Sequence, residues 1–453
     1  MKAHRYFLET NTGAMLRKQL AAPDPQLIQI PDISFCQDPA VPVILKSVQI
    51  NSQEEVQVRF VNVVSRPNLS NELFTQMQKS FEQQHQAASS ISGLGIFQWG
   101  AANCMASGLF LRGCKGIGKS YLLLQTAIKL LVREERRTKV VYIGNCSAWV
   151  RCLDDTQRRL FLARALRHAF FDDLHLLEIV ARWSRNVMDR TAGYFSSDIA
   201  TLLHFIGSYC RSENIDVAFL VDKADALAGD NSIDNRSCGD ILELLLHIKR
   251  TPCFTLLLAA SDDSKAERVN IELGTISYHV QPLFSSSEAV QFVKSHKLGK
   301  AADIWLIKEL VNKTWRHPQQ LLRLCDLLKE TCRKDINDIH ADDILSAVTQ
   351  LSELPFMDFE PSPFALVEPM YHMPTESIGR SVLGILKMDS SFCWPVDANY
   401  MSMVRSDKKM MYMYPSPQIA KGLIEYYCGS SNNHKIIDEQ LLRMRMAIYQ
   451  TFG

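Results

Sequence analysis

Apolar runs that end in a polar residue alternate along the middle of the chain with stretches whose apolar residues recur at helical spacing. Four runs are almost uninterrupted and a fifth is shorter and mixed; they lie at 109–112, 139–143, 217–221, 254–260 and 277–280. Uninterrupted runs of this length are typical of strands covered on both faces, and their alternation with helices is typical of a parallel sheet with crossover helices. The pattern therefore predicts an α/β fold built on a parallel sheet.

The segments around this predicted sheet divide the rest of the chain. Helical spacing from Trp149 to about Cys210 predicts an insert between the second and third strands, and a capping-box sequence from Ser285 to Glu288 opens further helices. Further strands are predicted at 27–30, 41–50 and 56–64, and further helices at 68–92, 121–134, 241–248, 304–311, 321–328 and 339–351. The expected regions are an N-terminal region (1–92), the sheet domain (93–283), a helical lid (284–353) and a C-terminal region of unassigned role (354–453).

Composition and charge narrow the class of protein. With 453 residues, 47% of them hydrophobic, the chain can bury large cores, and its net charge of +1 gives no global field that favours nucleic acid or an anionic membrane. Nucleic-acid binding would need a local basic patch. The twelve cysteines are scattered without a CxxC pair, which indicates thiols in a reducing compartment. No apolar segment reaches the ~18–20 residues of a membrane span, so we expect an intracellular protein that does not cross a membrane.

The sequence from Gly113 to Ser120 follows the pattern GxxxxGK[ST] and lies between the first predicted strand and a helical stretch. This pattern is typical of a Walker A phosphate-binding loop, in which glycines let backbone N–H groups turn inward around the phosphates. Lys119 is then predicted to contact the β- and γ-phosphates, and Ser120 to ligate Mg²⁺. The candidate nucleotide-binding residues are Gly113, Cys114, Lys115, Gly116, Ile117, Gly118, Lys119, Ser120 and Tyr121.

The apolar run that ends at Val221 is followed by Asp222, about 100 residues after the glycine-rich loop. A strand that ends in Asp is the Walker B pattern, which makes Asp222 the second candidate metal ligand beside Ser120. Lys223 stands where many ATPases of the additional-strand class carry the glutamate that activates water. Asp225, three residues past Asp222, is the candidate for that role, and a solvated turn residue is the alternative interpretation.

Three further positions are candidates for contacts with the phosphates. Ser261 and Asn145 follow predicted strands, where this class of protein places polar groups that sense the γ-phosphate; a turn-forming role is the alternative for both. Arg316 precedes a predicted helix start at Pro318, where an arginine would neutralise charge in a transition state or form a surface ion pair. The catalytic candidates are therefore Asp222, Asp225, Ser261 and Arg316.

Four stretches together resemble the P-loop NTPase module of the Crinkler effector proteins and the related retrotransposon-hot-spot proteins. They are 112–124 (RGCKGIGKSYLLL), 141–149 (VYIGNCSAW), 219–227 (FLVDKADAL) and 315–324 (WRHPQQLLRL), within a match over about residues 93–350. The resemblance implies an AAA- or STAND-like NTPase with a helical lid, and effector action in the nucleus or cytoplasm of a host cell. Residues 354–453 lack the carboxylate-plus-lysine constellation of the nuclease-like domain that follows in many members, so an NTPase-only form is expected.

A weaker resemblance is to the GTP-binding protein of the mitochondrial small ribosomal subunit. It is carried by the P-loop, by the second predicted strand ending near Trp149, and by a similar insert. It implies GTP as the nucleotide and a mitochondrial location. The basic N-terminal stretch Met1–Lys18 is the candidate transit peptide, and a plain N-terminal arm is the favoured interpretation of the same stretch.

Three functions are consistent with these patterns. The first is a Mg²⁺-dependent ATPase whose nucleotide state changes the conformation of the lid, and which acts with a protein partner or by self-association. The second is a nucleotide-gated interaction module with little turnover, which Lys223 in place of an acid favours. The third is a GTP-binding component of a ribonucleoprotein. The chain has no NKxD-type guanine motif, so ATP is the expected nucleotide and GTP the alternative.

Overall fold

The structure is a computed structural model. It describes residues 18–31, 60–91, 108–113, 116–131, 137–152, 154–189, 195–229, 235–260, 263–280, 283–296, 316–331, 342–343, 346–347, 350, 402–406 and 409–413. The chain divides into two compact units. The first unit contains Met1–Arg112 and Lys119–Tyr278, and the second contains Gly113–Gly118 and His279–Gly453.

The strands and helices follow the predicted alternation through the middle of the chain. The strands are β1 (Leu27–Pro31), β2 (Phe60–Val64), β3 (Leu109–Arg112), β4 (Arg137–Ile143), β5 (Ile215–Val221), β6 (Phe254–Ala259), β7 (Ile276–His279), β8 (Ser402–Ser406) and β9 (Lys409–Met413). The helices are α1 (Pro67–Ile91), α2 (Lys119–Leu131), α3 (Cys146–Val150), α4 (Asp155–Ala169), α5 (Leu174–Asp189), α6 (Phe195–Ser212), α7 (Asn235–Arg250), α8 (Asp263–Leu273), α9 (Ser286–Ser295) and α10 (Pro318–Thr331).

A five-stranded sheet in the order β4-β5-β6-β3-β7 is the centre of the fold. Strand β6 pairs in parallel with both β3 and β5, and β4 pairs in parallel with β5. Strand β6 thus lies between the strand that leads into the glycine-rich loop and the strand that ends at Asp222. This inserted strand defines the additional-strand class of P-loop NTPase folds, so the predicted α/β fold class is confirmed.

Strand β5 lies in the apolar core. All seven of its residues are buried, and the Phe219 ring lies 5.5 Å from the Phe254 ring of β6. Since truncating a fully buried Phe to Ala costs about 3–5 kcal/mol, this packing contributes strongly to the rigidity of the strand that carries Asp222. The predicted apolar run was two residues shorter than the strand, because Asp216 interrupts the run yet is itself buried.

Helix α1 covers one face of this sheet, and β1 and β2 form a separate antiparallel pair. The apolar side chains of Leu73, Met77 and Phe81 recur at helical spacing and are buried, within a helix that matches most of the predicted 68–92 segment. The Thr255 hydroxyl of β6 donates a hydrogen bond to the Ser80 hydroxyl at 3.1 Å. Helix α1 is therefore tied to the sheet by polar as well as apolar contacts.

The predicted helical insert between β4 and β5 is confirmed as the four helices α3 to α6. In α3 the Trp149 indole is fully buried. Its ring stacks on Phe161 of α4 with centroids 5.6 Å apart, and its Nε1–H donates to the Arg158 carbonyl at 3.1 Å. The Trp of the Cys-x-x-Trp sequence thus joins the first two helices of the insert.

In the second unit, α9 begins with the predicted capping box: the Ser285 hydroxyl accepts from the Glu288 N–H, and the Glu288 carboxylate accepts from the Ser285 N–H. Helix α10 begins at Pro318, as expected for a proline in the first turn. Strands β8 and β9 form an antiparallel hairpin. The sequence did not predict this hairpin, and it did not predict α8, because neither has a clear periodic pattern.

Several predicted elements end at other residues or are not described. Helix α2 begins two residues earlier than the predicted 121–134 segment and is described as far as Leu131, and α7 is longer at both ends than the predicted 241–248 segment. The predictions at 41–50 and 304–311 lie outside the described residues, and most of 339–351 does as well. In the part of the chain that the structure describes, no helix is both long and apolar enough to cross a bilayer.

Candidate nucleotide site

Asp222 is held by backbone hydrogen bonds at the carboxyl end of β5. Its N–H donates to the Ile143 carbonyl of β4 at 2.8 Å, and its carbonyl accepts from the Cys146 N–H of α3 at 3.0 Å. Because both backbone groups are bonded to the neighbouring strand and helix, the carboxylate projects from a fixed point of the first unit.

The Asp222 carboxylate contacts the start of α2, where the glycine-rich motif ends. It accepts hydrogen bonds from the Ser120 hydroxyl and from the Lys223 N–H, the latter at 2.9 Å. Burial of the side chain, which is 3% exposed, raises the pKa of Asp222 to about 6, although the two hydrogen bonds and the Lys223 charge favour the ionised form. The structure thus brings together the two residues that the sequence predicts as metal ligands.

Lys223 adopts a left-handed backbone conformation with φ 58° and ψ 39°. This conformation is uncommon for a residue with a Cβ atom. It directs the Lys223 N–H back to the carboxylate of the preceding residue, and the Lys223 side chain is exposed. The position that carries a glutamate in many ATPases of this class therefore contributes its backbone, not an acid, to the site.

Asp225 lies in a 3₁₀ turn at Ala224–Ala228 that follows directly. Its carboxylate is near enough to contribute, by charge repulsion, to the raised pKa of Asp222 and to that of the Cys146 thiol. Asp225 is half-buried. A second carboxylate therefore lies close to the predicted metal ligands, as the hypothesis of a water-activating role for Asp225 requires.

Lys119, Ser120 and Tyr121 form the first turn of α2. Lys119 is buried, with 6% of its surface exposed, while Ser120 and Tyr121 are half-buried. A lysine at the first position of a helix adds a positive charge where the helix dipole already favours anions. Oxygen ligands such as the Ser120 hydroxyl and the Asp222 carboxylate are of the kind that Mg²⁺ prefers, and Mg²⁺ commonly takes its other ligands from water and phosphate. The residues present fit a magnesium ion.

The described part of the glycine-rich loop belongs to the second unit. Gly113, Gly116 and Gly118 have φ angles of 135°, 84° and 90°, a region that favours glycine. A Cβ atom at Gly113 would meet Ile117 Cδ1 at 2.7 Å, and Ile117 itself is buried. The spacing of glycines in the motif therefore has a steric cause in the loop.

Arg316, which lies in the region that the sequence predicts as a lid, is buried and has a positive φ of 65°. Its guanidinium donates to the Ser286 hydroxyl at 3.0 Å, and its carbonyl accepts from the Phe284 N–H at 3.0 Å. His317 follows with a carbonyl that accepts from the Leu321 N–H. In the second unit, Arg316 thus links the start of α9 to the start of α10.

The remaining sequence candidates are placed differently or lie outside the described residues. The Asn145 side chain accepts a hydrogen bond from the Ala148 N–H at 3.2 Å and caps α3, the turn role that was the alternative to sensing the γ-phosphate. Cys114, Lys115 and Ser261 lie outside the described residues. Cys146 was missed as a neighbour of the site; its position three residues before Trp149 in a distinctive motif was the available signal.

A separate cavity of about 730 Å³ lies in the helical insert. Its walls come from α5 and α6 and include Ile179, Trp183, Phe205 and Tyr209. It contains none of the residues that the sequence predicts for the nucleotide site.

The fold and the site geometry together define the class as an additional-strand P-loop fold. No family model matches the chain, and no curated protein matches it. Among solved structures, it is similar to a Walker-type ATPase, PABY2304 of Pyrococcus abyssi, with 15% identity over 76% of this chain and 94% of that one, at a TM-score of 0.40.

Two other solved structures have comparable similarity. The ORC2 protein of Aeropyrum pernix, in ADPNP–ADP complexes, is 12% identical over 87% of this chain and 88% of that one, at a TM-score of 0.40. PCH-2 of C. elegans is 12% identical over 63% of this chain and 68% of that one, at a TM-score of 0.38. Similarities at this level carry no functional argument, so the fold assignment rests on the strand order.

Proposed function

We propose that this protein is a P-loop NTPase that binds and hydrolyses ATP with Mg²⁺ and couples its nucleotide state to the conformation of the helical lid. The observation that carries the proposal is the buried hydrogen bond between Ser120 and Asp222. It joins the last residue of the Walker A motif to the acid at the end of β5, in a sheet whose strand order is that of the additional-strand class. GTP is the alternative nucleotide.

Each residue of the motif has a role that follows from its chemistry. The loop amides between Gly113 and Gly118 would bind phosphate oxygens, and the Lys119 ammonium would neutralise charge on the β- and γ-phosphates. Ser120 and Asp222 would hold Mg²⁺. When bound, the ion neutralises developing charge on the phosphate oxygens. Asp222 is prepared for this role because its burial penalises an uncompensated negative charge.

Asp225 is the residue we assign to orienting the attacking water. The exposed Lys223 side chain offers no carboxylate, and Asp225 is the acid whose charge reaches both Asp222 and Cys146. A carboxylate in this position would accept a hydrogen bond from the water and take up its proton directly or through a second water.

The second candidate function is a nucleotide-gated interaction module with little turnover. The left-handed Lys223 favours it, because that position presents an N–H to Asp222 in place of a general base. In such a module, nucleotide binding would change the lid and a protein partner or a second copy of the chain would respond. The resemblance to Crinkler-type NTPases supports the related proposal of an intracellular effector with a protein partner.

The experiment is phosphate release with Mg-ATP and with Mg-GTP, beside a binding titration by calorimetry for each nucleotide. The variants are Lys119→Ala, Asp222→Asn and Asp225→Asn, and Asp24→Asn, at an exposed position before β1, is the control. Release that Lys119→Ala and Asp225→Asn both abolish, with binding retained in Asp225→Asn, supports the enzyme. Binding by the parent with release no higher than in Lys119→Ala supports the module instead. Absence of binding to both nucleotides would overturn both functions.

A further inference from the structure

The side chain of Gln319, the second residue of α10, lies directly against the glycine-rich loop. A Cβ atom added at Gly116 would lie 2.1 Å from Gln319 Oε1, 2.7 Å from its Cβ and 2.9 Å from its Cδ. All three distances are shorter than a van der Waals contact, so the absence of a side chain at Gly116 is what allows this approach. Both residues belong to the second unit.

The Gln319 carboxamide retains its hydrogen-bonding capacity at this position. Within the part of the chain that the structure describes, no hydrogen bond from this side chain is found, and the side chain is half-buried. A carboxamide has two N–H donors and one acceptor oxygen. The Gln319 carboxamide has N–H donors unused by the described residues and lies next to the loop whose amides are proposed to bind phosphate. It is therefore suited to donate to the same anion.

Arg316, the lid residue that the sequence predicts for this contact, is engaged elsewhere in the same unit. Its guanidinium donates to the Ser286 hydroxyl, and its backbone carbonyl accepts from Phe284. The left-handed Arg316 turn therefore fixes the direction of the first turn of α10, on which Gln319 is carried. Arg316 thus bonds to the start of α9, and Gln319 is the residue of α10 whose contact with the loop the structure describes.

We propose that Gln319 is the lid residue that contacts the nucleotide phosphates, through its carboxamide N–H groups, and that its packing on Gly116 couples the lid helix to the loop. The inference rests on the proposed function, since it names the lid contact of that same site. A neutral amide donates hydrogen bonds but carries no charge, so this lid would bind the phosphates more weakly than a lid with arginine at the same place.

A double-mutant cycle in thermal unfolding tests the packing without using activity. Gly116→Ala and Gly118→Ala both place a Cβ atom at a positive φ, but nothing lies within 4 Å of a Cβ at Gly118. We expect Gly116→Ala to lower the unfolding midpoint further than Gly118→Ala does. Gln319→Gly should recover part of the Gly116→Ala loss, whereas Gln319→Ala, which removes the Oε1 and Cδ contacts but keeps the Cβ atom at 2.7 Å, should recover less. Equal losses for the two glycine variants, or no recovery by Gln319→Gly, would overturn the packing.

Calorimetric titration with Mg-ATP and Mg-ADP tests the phosphate contact. Gln319→Glu keeps the shape of the side chain but places a negative charge by the phosphates, so we expect at least a tenfold loss of Mg-ATP affinity and a smaller loss with Gln319→Ala. Leu322→Glu, which adds the same charge at an exposed position of α10, is the control and should change affinity less than twofold.

Two results would count against the phosphate contact in different ways. If Gln319→Glu bound Mg-ATP as the parent does, the contact would be excluded and Gln319 would have a packing role alone, with the proposed NTPase function intact. If the parent protein bound neither nucleotide, the proposed function would fail and the phosphate contact with it. The unfolding cycle would then still decide the packing of α10 on the loop.

Discussion

Strand β5 carries two buried carboxylates, and their surroundings differ. Asp216, near the start of the strand, is completely buried and lies 2.7 Å from His85 Nε2 of α1. Hydrogen bonds to Asp216 and to the Cys253 thiol, and the Asp216 charge, raise the pKa of His85 to about 9. Asp222, just past the end of the strand, accepts only from the neutral donors Ser120 Oγ–H and Lys223 N–H among its described hydrogen bonds.

The difference between the two carboxylates separates a structural acid from one that fits a metal. Asp216 has a cation supplied by the fold, so it forms a partly buried ion pair with His85 that ties α1 to the sheet. Asp222 is buried almost as deeply, and the charge of the neighbouring Lys223 does not offset this burial, which raises the pKa of Asp222. A carboxylate of the second kind is stabilised by a cation from outside the chain, such as Mg²⁺.

The largest expected difference between the two acids is in their contribution to the free energy of unfolding. Asp216→Asn removes the charge that the protonated His85 faces. Since breaking a fully buried ion pair costs about 3 kcal/mol or more and His85 is partly exposed, we expect a loss of up to about 3 kcal/mol in unfolding free energy. Asp222→Asn should leave the stability of the nucleotide-free protein unchanged or raise it, because it removes a buried charge. Urea unfolding of the two variants measures the contrast. Equal destabilisation by both would show that the two acids have the same structural role.

The next effect is on turnover, where Asp222→Asn should have the large effect and Asp216→Asn the small one. Asp222→Asn should lower the rate of phosphate release from Mg-ATP about 100-fold, since removing one electrostatic group that stabilises developing charge costs on the order of 3 kcal/mol. In Asp216→Asn, the fraction that remains folded should keep the parent rate. The rates are compared at a temperature where both variants are folded, as checked by circular dichroism.

The stability of the protein should change with pH in two steps, one from Asp222 and one from His85, the partner of Asp216. The pKa of Asp222 rises from 3.8 to about 6 on folding, so the unfolded chain releases this proton first and the nucleotide-free protein loses stability as the pH rises from about 4 to about 6. The His85 contribution is fully present below pH 6.5 and is lost as the pH rises through about 9.

Unfolding midpoints between pH 4 and pH 10 check this pair of transitions. Asp222→Asn should remove the lower transition and keep the upper one, and the stabilisation by added Mg-ATP should grow as the pH rises through about 6. A lower transition that persists in Asp222→Asn would assign it to another group.

The smallest effect concerns the turn that holds Asp222. Lys223→Gly relieves the left-handed conformation and should stabilise the protein by up to about 1 kcal/mol, while the Lys223 N–H bond to Asp222 is retained. Lys223→Ala removes the charge and keeps the strain, so it serves as the matched control. The unfolding midpoints of the two variants, measured at low salt, separate the effect of backbone strain from the effect of the charge. A lower midpoint for Lys223→Gly than for Lys223→Ala would contradict the role of strain.

Sequence patterns predicted the elements with a clear apolar periodicity and the site residues that lie in recognisable motifs. The apolar runs gave all five strands of the sheet, and the motif spacing indicated the pairing of Ser120 with Asp222. Patterns missed α8, whose sequence from Asp263 to Leu273 is largely polar, and the short β8–β9 hairpin. The conformation of Lys223 and the approach of Gln319 to Gly116 depend on backbone angles and tertiary packing, which have no periodic signature in the sequence.

The inserted position of β6 has a consequence for how the chain is made. Strand β3 pairs with β6, yet Phe254 follows Arg112 by 142 positions. At synthesis rates of about 5–20 residues per second, the first residue of the partner strand is made roughly 7–28 s after β3. During that time an apolar strand with both edges open is a template for association with other chains. This topology therefore leaves β3 in need of shielding during translation until β6 has been made.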